Sequence, residues 1–499
     1  MTGGPGADAA GGRPTLGPVA AVRADGVGLL LLNATIAVVW CVLFLVLALR
    51  HDFALYADGS IFSYAIAVRD AWGFHWHNIA GRAFVYLYAY LPAEAYMRLS
   101  GNVHGAIALY ALLFFSAPLL SLAATFGLDR SRSRTLFAFA AASTSVFLPF
   151  VFGFPTEMWI AHALFWPTLA LVLFARDGWA SRIAIAALLA AIGMTHGGGV
   201  LLALAVVAIS GLRGLRHPLF LRALACLLPA FAVWLAVLVL LRPDSYFAAA
   251  LEGAAYTFVD ARNFDTPLTR LLAAALLAYA LLCAAGRRLG LAAAPALAAA
   301  VVAAALVLYW RLWDTSLLAD MRYPLRSLIL VGPPLLGALA AALVLRAENG
   351  LGLLGARVRL VLAALERLLP PRVLAGALAL VTLAHAVETA KFTVGWDGYR
   401  RAVRALAVSE ASDPGLGDPR FVSTARLGAE RNLFTWGSTS HFLSVLLAPG
   451  FEPRRLVVDP DTNYFWLTCA KATASARADS ALSAGGRELI RKHACLHRP

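Results

Sequence analysis

His51-Asp52-Phe53-Ala54-Leu55-Tyr56-Ala57-Asp58-Gly59-Ser60 follows directly on an apolar run from about Val27 to Leu49. That run is long enough to cross a bilayer, which needs about 20 predominantly apolar residues. Asp52 and Asp58 therefore fall at or just beyond a membrane surface, at the head of an aromatic-rich segment that reaches about Gly105. A plain anchor needs no such excursion. A carboxylate at a bilayer face suits base chemistry on a lipid-borne substrate.

Composition carries the same reading along the chain. Hydrophobic residues make up 61% of it, charged residues 14%, and mean hydropathy is +0.74. Soluble domains carry about 25% charge, so this is a multi-pass membrane protein. The net charge of +14 comes from short basic clusters between apolar runs, a pattern that sets orientation and argues against nucleic acid as a partner. Residues 1–26 are rich in Gly and Ala and read as a flexible cytoplasmic N-terminus. No cleavable signal is expected, since the first apolar run is too long for one.

About eleven crossings are expected. The runs are Val27–Leu49, Ala106–Leu128, Thr135–Phe154, Trp159–Ala175, Ile183–Met194, Val200–Leu212, Leu219–Leu241, Leu268–Ala285, Leu291–Trp310, Leu325–Leu345 and Val373–Lys391. The fifth and sixth are short and meet at Thr195-His196-Gly197-Gly198-Gly199; two short helices are expected there, with one broken helix as the alternative. Connecting segments alternate. One set carries clustered arginines, such as Arg130, Arg132 and Arg134 or Arg213, Arg216 and Arg222, and is expected in the cytoplasm with the N-terminus. The other carries Asp52, Asp58, Glu157, His196, Asp260, Asp265, Asp314 and Asp320, and is expected outside.

The membrane domain is thus expected over 27–393, with the outward loop at 51–105, and the composition changes at 394–499. There an odd number of crossings predicts a small α+β domain outside the cell membrane. Arg454–Pro460 reads as a strand and turn, and Ala402–Val408 and Ser480–Lys492 read as helices. Cys41, Cys226 and Cys283 lie in apolar runs, whereas Cys469 and Cys495 lie in the polar region. Two free thiols are one reading of that last pair. In an oxidising space a disulfide is the better one, worth about 3 kcal/mol of chain entropy.

Among the polar residues Asp58 is the leading candidate. A helix beginning after it would set partial positive charge beside the carboxylate, fitting either a base or a simple N-cap. Asp52 is secondary. Glu157 opens the fourth apolar helix on the same side; it could orient a substrate, hold a divalent cation with Asp58, or cap its helix. His196 sits in a glycine-rich bend where backbone can approach a ligand closely. His75-Trp76-His77, with His51 and His104, lacks the ligand spacing of a zinc site and reads as interfacial anchoring, so no metal centre is assigned.

The run Asp58-Gly59-Ser60-Ile61-Phe62-Ser63-Tyr64-Ala65, followed by Ala83-Phe84-Val85-Tyr86-Leu87-Tyr88-Ala89-Tyr90-Leu91-Pro92, resembles the GT-C superfamily of integral-membrane glycosyltransferases. The resemblance covers the order of elements over the first 210 residues or so, including the short fifth and sixth helices. Many members carry two adjacent acidic residues where this chain has Asp58-Gly59. The resemblance implies a polyprenyl-phosphate-linked sugar donor whose tail stays in the lipid, and inverting transfer to an envelope acceptor at the outer face of a bacterial inner membrane. It implies Asp58 as base, with Asp52, Tyr64, Glu157 and His196 as substrate contacts. The leaving phosphate needs positive charge, which Arg322 and Arg326 at the outer mouth of the tenth helix would supply if they do not merely snorkel. Trp436 and Asn463-Tyr464-Phe465-Trp466 could stack on sugar or fill a core. Two rival readings are a transporter or flippase of a lipid-linked saccharide, and a scaffold that kept the fold without the chemistry. Transporters tend to carry internal repeats and midplane polar sites, and neither is evident here.

Overall fold

In a computed structural model of the chain, the apolar run ahead of His51 is one helix, α1 (Pro18–Arg50). The structure describes residues 18–74, 79–241, 265–313, 326–347, 360–364, 368–410, 413–437, 439–460, 469–477 and 480–496. Arg322, His75-Trp76-His77, Asp260, Asp314, Asp320 and Asn463-Tyr464-Phe465-Trp466 lie outside the described residues.

Ala37, Trp40, Cys41, Phe44 and Ala48 form a buried stripe along α1 at helical spacing, while Val39, Val42 and Val46 on the other face are exposed. Both faces are apolar. One packs on protein, and the other can meet only lipid without cost. Beyond a 3₁₀ turn at Phe53–Leu55, the segment expected to face outward contains short helices, among them α2 (Asp58–Ala67), α3 (Ile79–Val85) and α4 (Leu91–Ser100), with a π-helical turn at Tyr86–Tyr90. The expected loop is therefore largely helical. It returns into α5 (Val103–Leu128), which packs on α1.

The bundle continues through α6 (Thr135–Phe147), α7 (Met158–Phe174), α8 (Trp179–Gly193), α9 (Gly199–Ser210), α10 (Pro218–Leu241), α11 (Pro267–Arg288), α12 (Ala294–Trp313) and α13 (Arg326–Ala347). It closes with α14 (Pro371–Val408). Among the described residues, seven helices are long and apolar enough to cross a membrane. The other four apolar helices, Thr135–Val151, Met158–Phe174, Trp179–Gly193 and Gly199–Arg213, have 10–17 residues each. The fifth and sixth apolar runs are separate helices, α8 and α9. They come so close at their junction that a Cβ on Gly199 would lie 2.0 Å from the Ile192 carbonyl oxygen. The architecture is all-α and polytopic.

The boundary expected at 394 falls inside α14, which runs unbroken for 38 residues. That boundary was expected from the change in composition beyond Val394. Trp396 and Tyr399 are instead fully buried, and Arg400 Nη2 pairs with Asp397 Oδ1 one turn away at 2.7 Å, which carries the helix through. Past it lie two short buried strands, β1 (Phe421–Ser423) and β2 (Leu456–Val458), paired in parallel with Val422 opposite Val457. The region also holds the helices α15 (Ser440–Leu447), α16 (Cys469–Arg477) and α17 (Ala484–Leu496). Cys469 and Cys495 are joined in a disulfide.

This C-terminal region sits on the outward segment. Helix α15 packs on α2, α14 and β2, with Phe442 and Tyr64 ring centroids 5.0 Å apart. Enclosed between α5 and α15, every residue of α2 is buried.

Candidate functional site

The backbone that presents Asp58 is folded under constraint. After the 3₁₀ turn, Ala57 takes φ 50°, ψ −127°, a conformation that costs a residue with a Cβ on the order of 1–3 kcal/mol. Helix α2 then begins at Asp58, so Ala57 rather than Asp58 holds the cap position. The carboxylate lies in the first turn, where the helix's positive end favours its ionised form. Ser60 Oγ donates to Leu55 O at 2.5 Å and Ser63 Oγ to Ala54 O at 3.2 Å, fastening α2 back onto the turn.

Gly59 is held against the backbone of the turn before it. A Cβ there would stand 2.2 Å from Ala54 O and 2.7 Å from Pro155 Cγ, so position 59 has no room for any side chain. The same tight contact brings Asp58 beside the segment that carries Glu157. Gly59→Ala is expected to lower stability by about 1–3 kcal/mol through overpacking against backbone. Thermal unfolding in detergent measures this; an unchanged midpoint would mean that the contact is not there.

Opposite α2, Phe152 also has positive φ, at 46° with ψ −123°, ahead of Pro155-Thr156-Glu157 and the start of α7. Glu157 is 1% exposed, and its Oε1 lies 2.8 Å from Nη1 of Arg82, itself 7% exposed. Arg82 comes from α3 and lies over the Phe62 ring at 5.9 Å. The π-helical turn delivers Tyr90, whose ring packs on Phe62 at 5.2 Å and on Tyr110 of α5 at 5.4 Å. Such π turns recur at functional sites because they re-aim a side chain within a helix. Burial holds the Tyr90 phenol well above its ordinary range. The charges of Glu157 and Asp58 add to this and Arg82 opposes it, so all three charged groups act on one buried hydroxyl.

Segments distant in sequence thus converge on one buried polar cluster of Asp58, Arg82, Tyr90, Tyr110 and Glu157. A carboxylate, a guanidinium held by a second carboxylate, and two phenols stand in apolar walls, where charge interactions are stronger than in water. This arrangement can take up a proton and stabilise an anion side by side. Glu157, read as a possible cation ligand, holds Arg82. Among the described residues there is no group of three or more side chains placed to ligate a metal.

The other expected site residues lie elsewhere. Asp52 is ion-paired with Arg400, which also pairs with Asp397; His51 Nδ1 lies 2.8 Å from Asp397 Oδ2, and Trp396 Nε1 donates to His51 O at 2.8 Å. This network ties the end of α1 to α14, so Asp52 belongs to a helix latch. Asp52 also edges a cleft of about 110 Å³ with His104 and Leu446. Tyr64 has its hydroxyl 3.4 Å from Ser475 Oγ; burial pushes its phenol up to about 12, and the Ser475 hydrogen bond opposes the shift. His196 Nδ1 accepts from Gly198 N at 3.1 Å, bracing its own turn. That turn adjoins α3, since Phe84 N donates to Met194 O at 3.1 Å. Arg326 opens α13. Trp436 packs on Phe154 at 5.4 Å, close in sequence to Glu157.

Sequence reasoning missed Arg82, Tyr90 and Tyr110. Arg82 carried only a weak signal: it is one of three arginines, with Arg69 and Arg98, in the carboxylate-bearing excursion, outside the orienting clusters. The tyrosines carried none, because buried aromatics are common in any core. The chain matches no family model, no curated protein and no solved structure.

Proposed function

We propose that this chain is a GT-C-like inverting glycosyltransferase that moves a sugar from a polyprenyl-phosphate donor to an envelope acceptor. The observation that carries the reading is a carboxylate at a helix N-terminus, Asp58, buried with an Arg82–Glu157 pair just beyond the end of a membrane helix. Asp58 accepts the proton of the acceptor hydroxyl, and the resulting oxygen attacks the anomeric carbon. The bond from that carbon to the phosphate oxygen breaks on the opposite face, and the electron pair leaves with the lipid phosphate. Arg82 faces the negative charge that develops there, with Arg322 and Arg326 as further cations. The donor's hydrocarbon tail stays among the lipid-facing helices.

In this reading the four shorter apolar helices join the seven long ones to make eleven crossings. The arginine clusters face the cytoplasm of a bacterial cell, and the site and the C-terminal region face outward across the inner membrane. The disulfide supports that side, because disulfides persist in oxidising compartments. A C-terminal alkaline-phosphatase fusion is therefore expected to be active and a green-fluorescent fusion dark; the reverse pair of results refutes the orientation. For the chemistry, the protein in nanodiscs is given polyprenyl-phosphate sugars labelled in the sugar. Transfer of label to a water-soluble or envelope acceptor, with inverted anomeric configuration, is expected. Passage of intact lipid-linked sugar across the bilayer without transfer would instead make it a flippase.

A further inference from the structure

We propose that the Cys469–Cys495 disulfide is a redox-sensitive clamp that holds helix α16 against the outward segment and so fixes residues 64–74. The argument starts from α16 itself. Its nine residues, Cys469-Ala470-Lys471-Ala472-Thr473-Ala474-Ser475-Ala476-Arg477, bury only Ala472 and Ser475. Helices shorter than about 12–15 residues are marginal on their own, and one alanine and one serine bury too little apolar surface to hold it. It is fastened from outside. The disulfide joins its first residue to Cys495 of α17, which is anchored by buried Leu489, Ile490 and Ala494. Near its other end, Arg487 Nε of α17 donates to Ala476 O at 3.3 Å.

Held this way, α16 makes two contacts with the outward segment. Lys471 Nζ donates to Gly73 O at 3.0 Å, and the Ser475 hydroxyl meets that of Tyr64 at 3.4 Å. Lys471 lies two residues from the disulfide, so it is the contact that depends most on the bond. Reduction by a dithiol breaks the S–S bond by thiol–disulfide exchange. Two electrons and two protons pass to the pair, giving two thiols and the reductant's own disulfide. Helix α16 then loses its covalent tie to α17 and keeps its packing on α17 with the Arg487 hydrogen bond, and its hold on residues 64–74 weakens. Cys41, Cys226 and Cys283 are buried free thiols, so the reductant has a single disulfide to act on among the described residues. Because α2 also carries Asp58, the clamp reaches the cluster described above. Its bearing on catalysis rests on the proposed function; the clamp itself does not.

Backbone hydrogen exchange on the full-length protein in nanodiscs tests it without an activity assay. After dithiothreitol, amides within 64–74 are expected to exchange about tenfold faster or more, as a locally opened unit does, and reoxidation is expected to restore them. Acceleration confined to 469–496 would overturn the clamp. Lys471→Met with Ser475→Ala, made with the disulfide intact, is expected to reproduce the faster exchange at 64–74. Unchanged exchange in that variant would equally overturn it. Cys469→Ser with Cys495→Ser gives a permanently open form, and the dithiothreitol comparison stands without it if that variant fails to accumulate.

Discussion

Asp58→Asn is expected to insert and fold like the parent chain and to lose sugar transfer by about 10²-fold or more, the usual scale for a positioned base. Asparagine keeps the volume of aspartate and one acceptor oxygen, but it takes no proton near neutral pH. The structure sharpens this test. Asp58 is in the first helical turn while Ala57 holds the cap position, so the substitution removes charge and basicity without removing a cap. Loss of the charge at the helix N-terminus costs about 0.3–1 kcal/mol, too little to mimic lost chemistry through unfolding. The measurement is turnover with a lipid-linked donor at matched thermal stability. Parent-level turnover in Asp58→Asn would end the assignment of Asp58 as the base.

Arg82→Ala is expected to destabilise the protein by about 3–5 kcal/mol, because it leaves Glu157 buried without the guanidinium 2.8 Å away. Lost activity in that variant would be ambiguous, and a second variant resolves it. Replacing both partners, Arg82→Met with Glu157→Leu, removes both charges and fills much of the volume, a change that is often near neutral for buried pairs. Stability is expected to return to within about 1–2 kcal/mol of the parent. Transfer is expected to stay low, since the positive charge facing the leaving phosphate is gone. Recovery of both stability and transfer would assign the pair a purely structural role. Thermal unfolding and donor turnover on the same samples separate these outcomes.

The membrane architecture was legible because it rests on long-range periodicity and composition, which a local reading captures well. All eleven apolar runs are helical over most of their length. The continuity of α14 was not legible: Val373–Lys391 and Ala402–Val408 were each read as helical, and burial of Trp396 and Tyr399 between them joins the two into one. The site was half legible. Asp58 and Glu157 could be picked out as acidic residues next to helix starts after apolar or aromatic stretches. The third charged group could not be paired with them from sequence, because a buried ion pair between positions 82 and 157 depends on how α3 folds back over α7's entrance. The ion pair of Asp52 was not legible for a related reason. Its partner Arg400 lies nearly 350 residues away, and no local pattern announces a contact of that span.

The unbroken α14 has a mechanical consequence. At a rise of 1.5 Å per residue, its 38 residues make a rod about 57 Å long, nearly twice the hydrocarbon thickness of a bilayer. A rod that length is a lever: turning it by about 5° about a point well past its middle swings its shorter end sideways by about 1–2 Å. Its fulcrum is where His51 and Asp52 grip Asp397 and Arg400, about two-thirds of the way along. Changes in bilayer thickness that re-tilt the longer arm would therefore reach the polypeptide riding on the shorter arm reversed in direction and scaled down by the ratio of the arms.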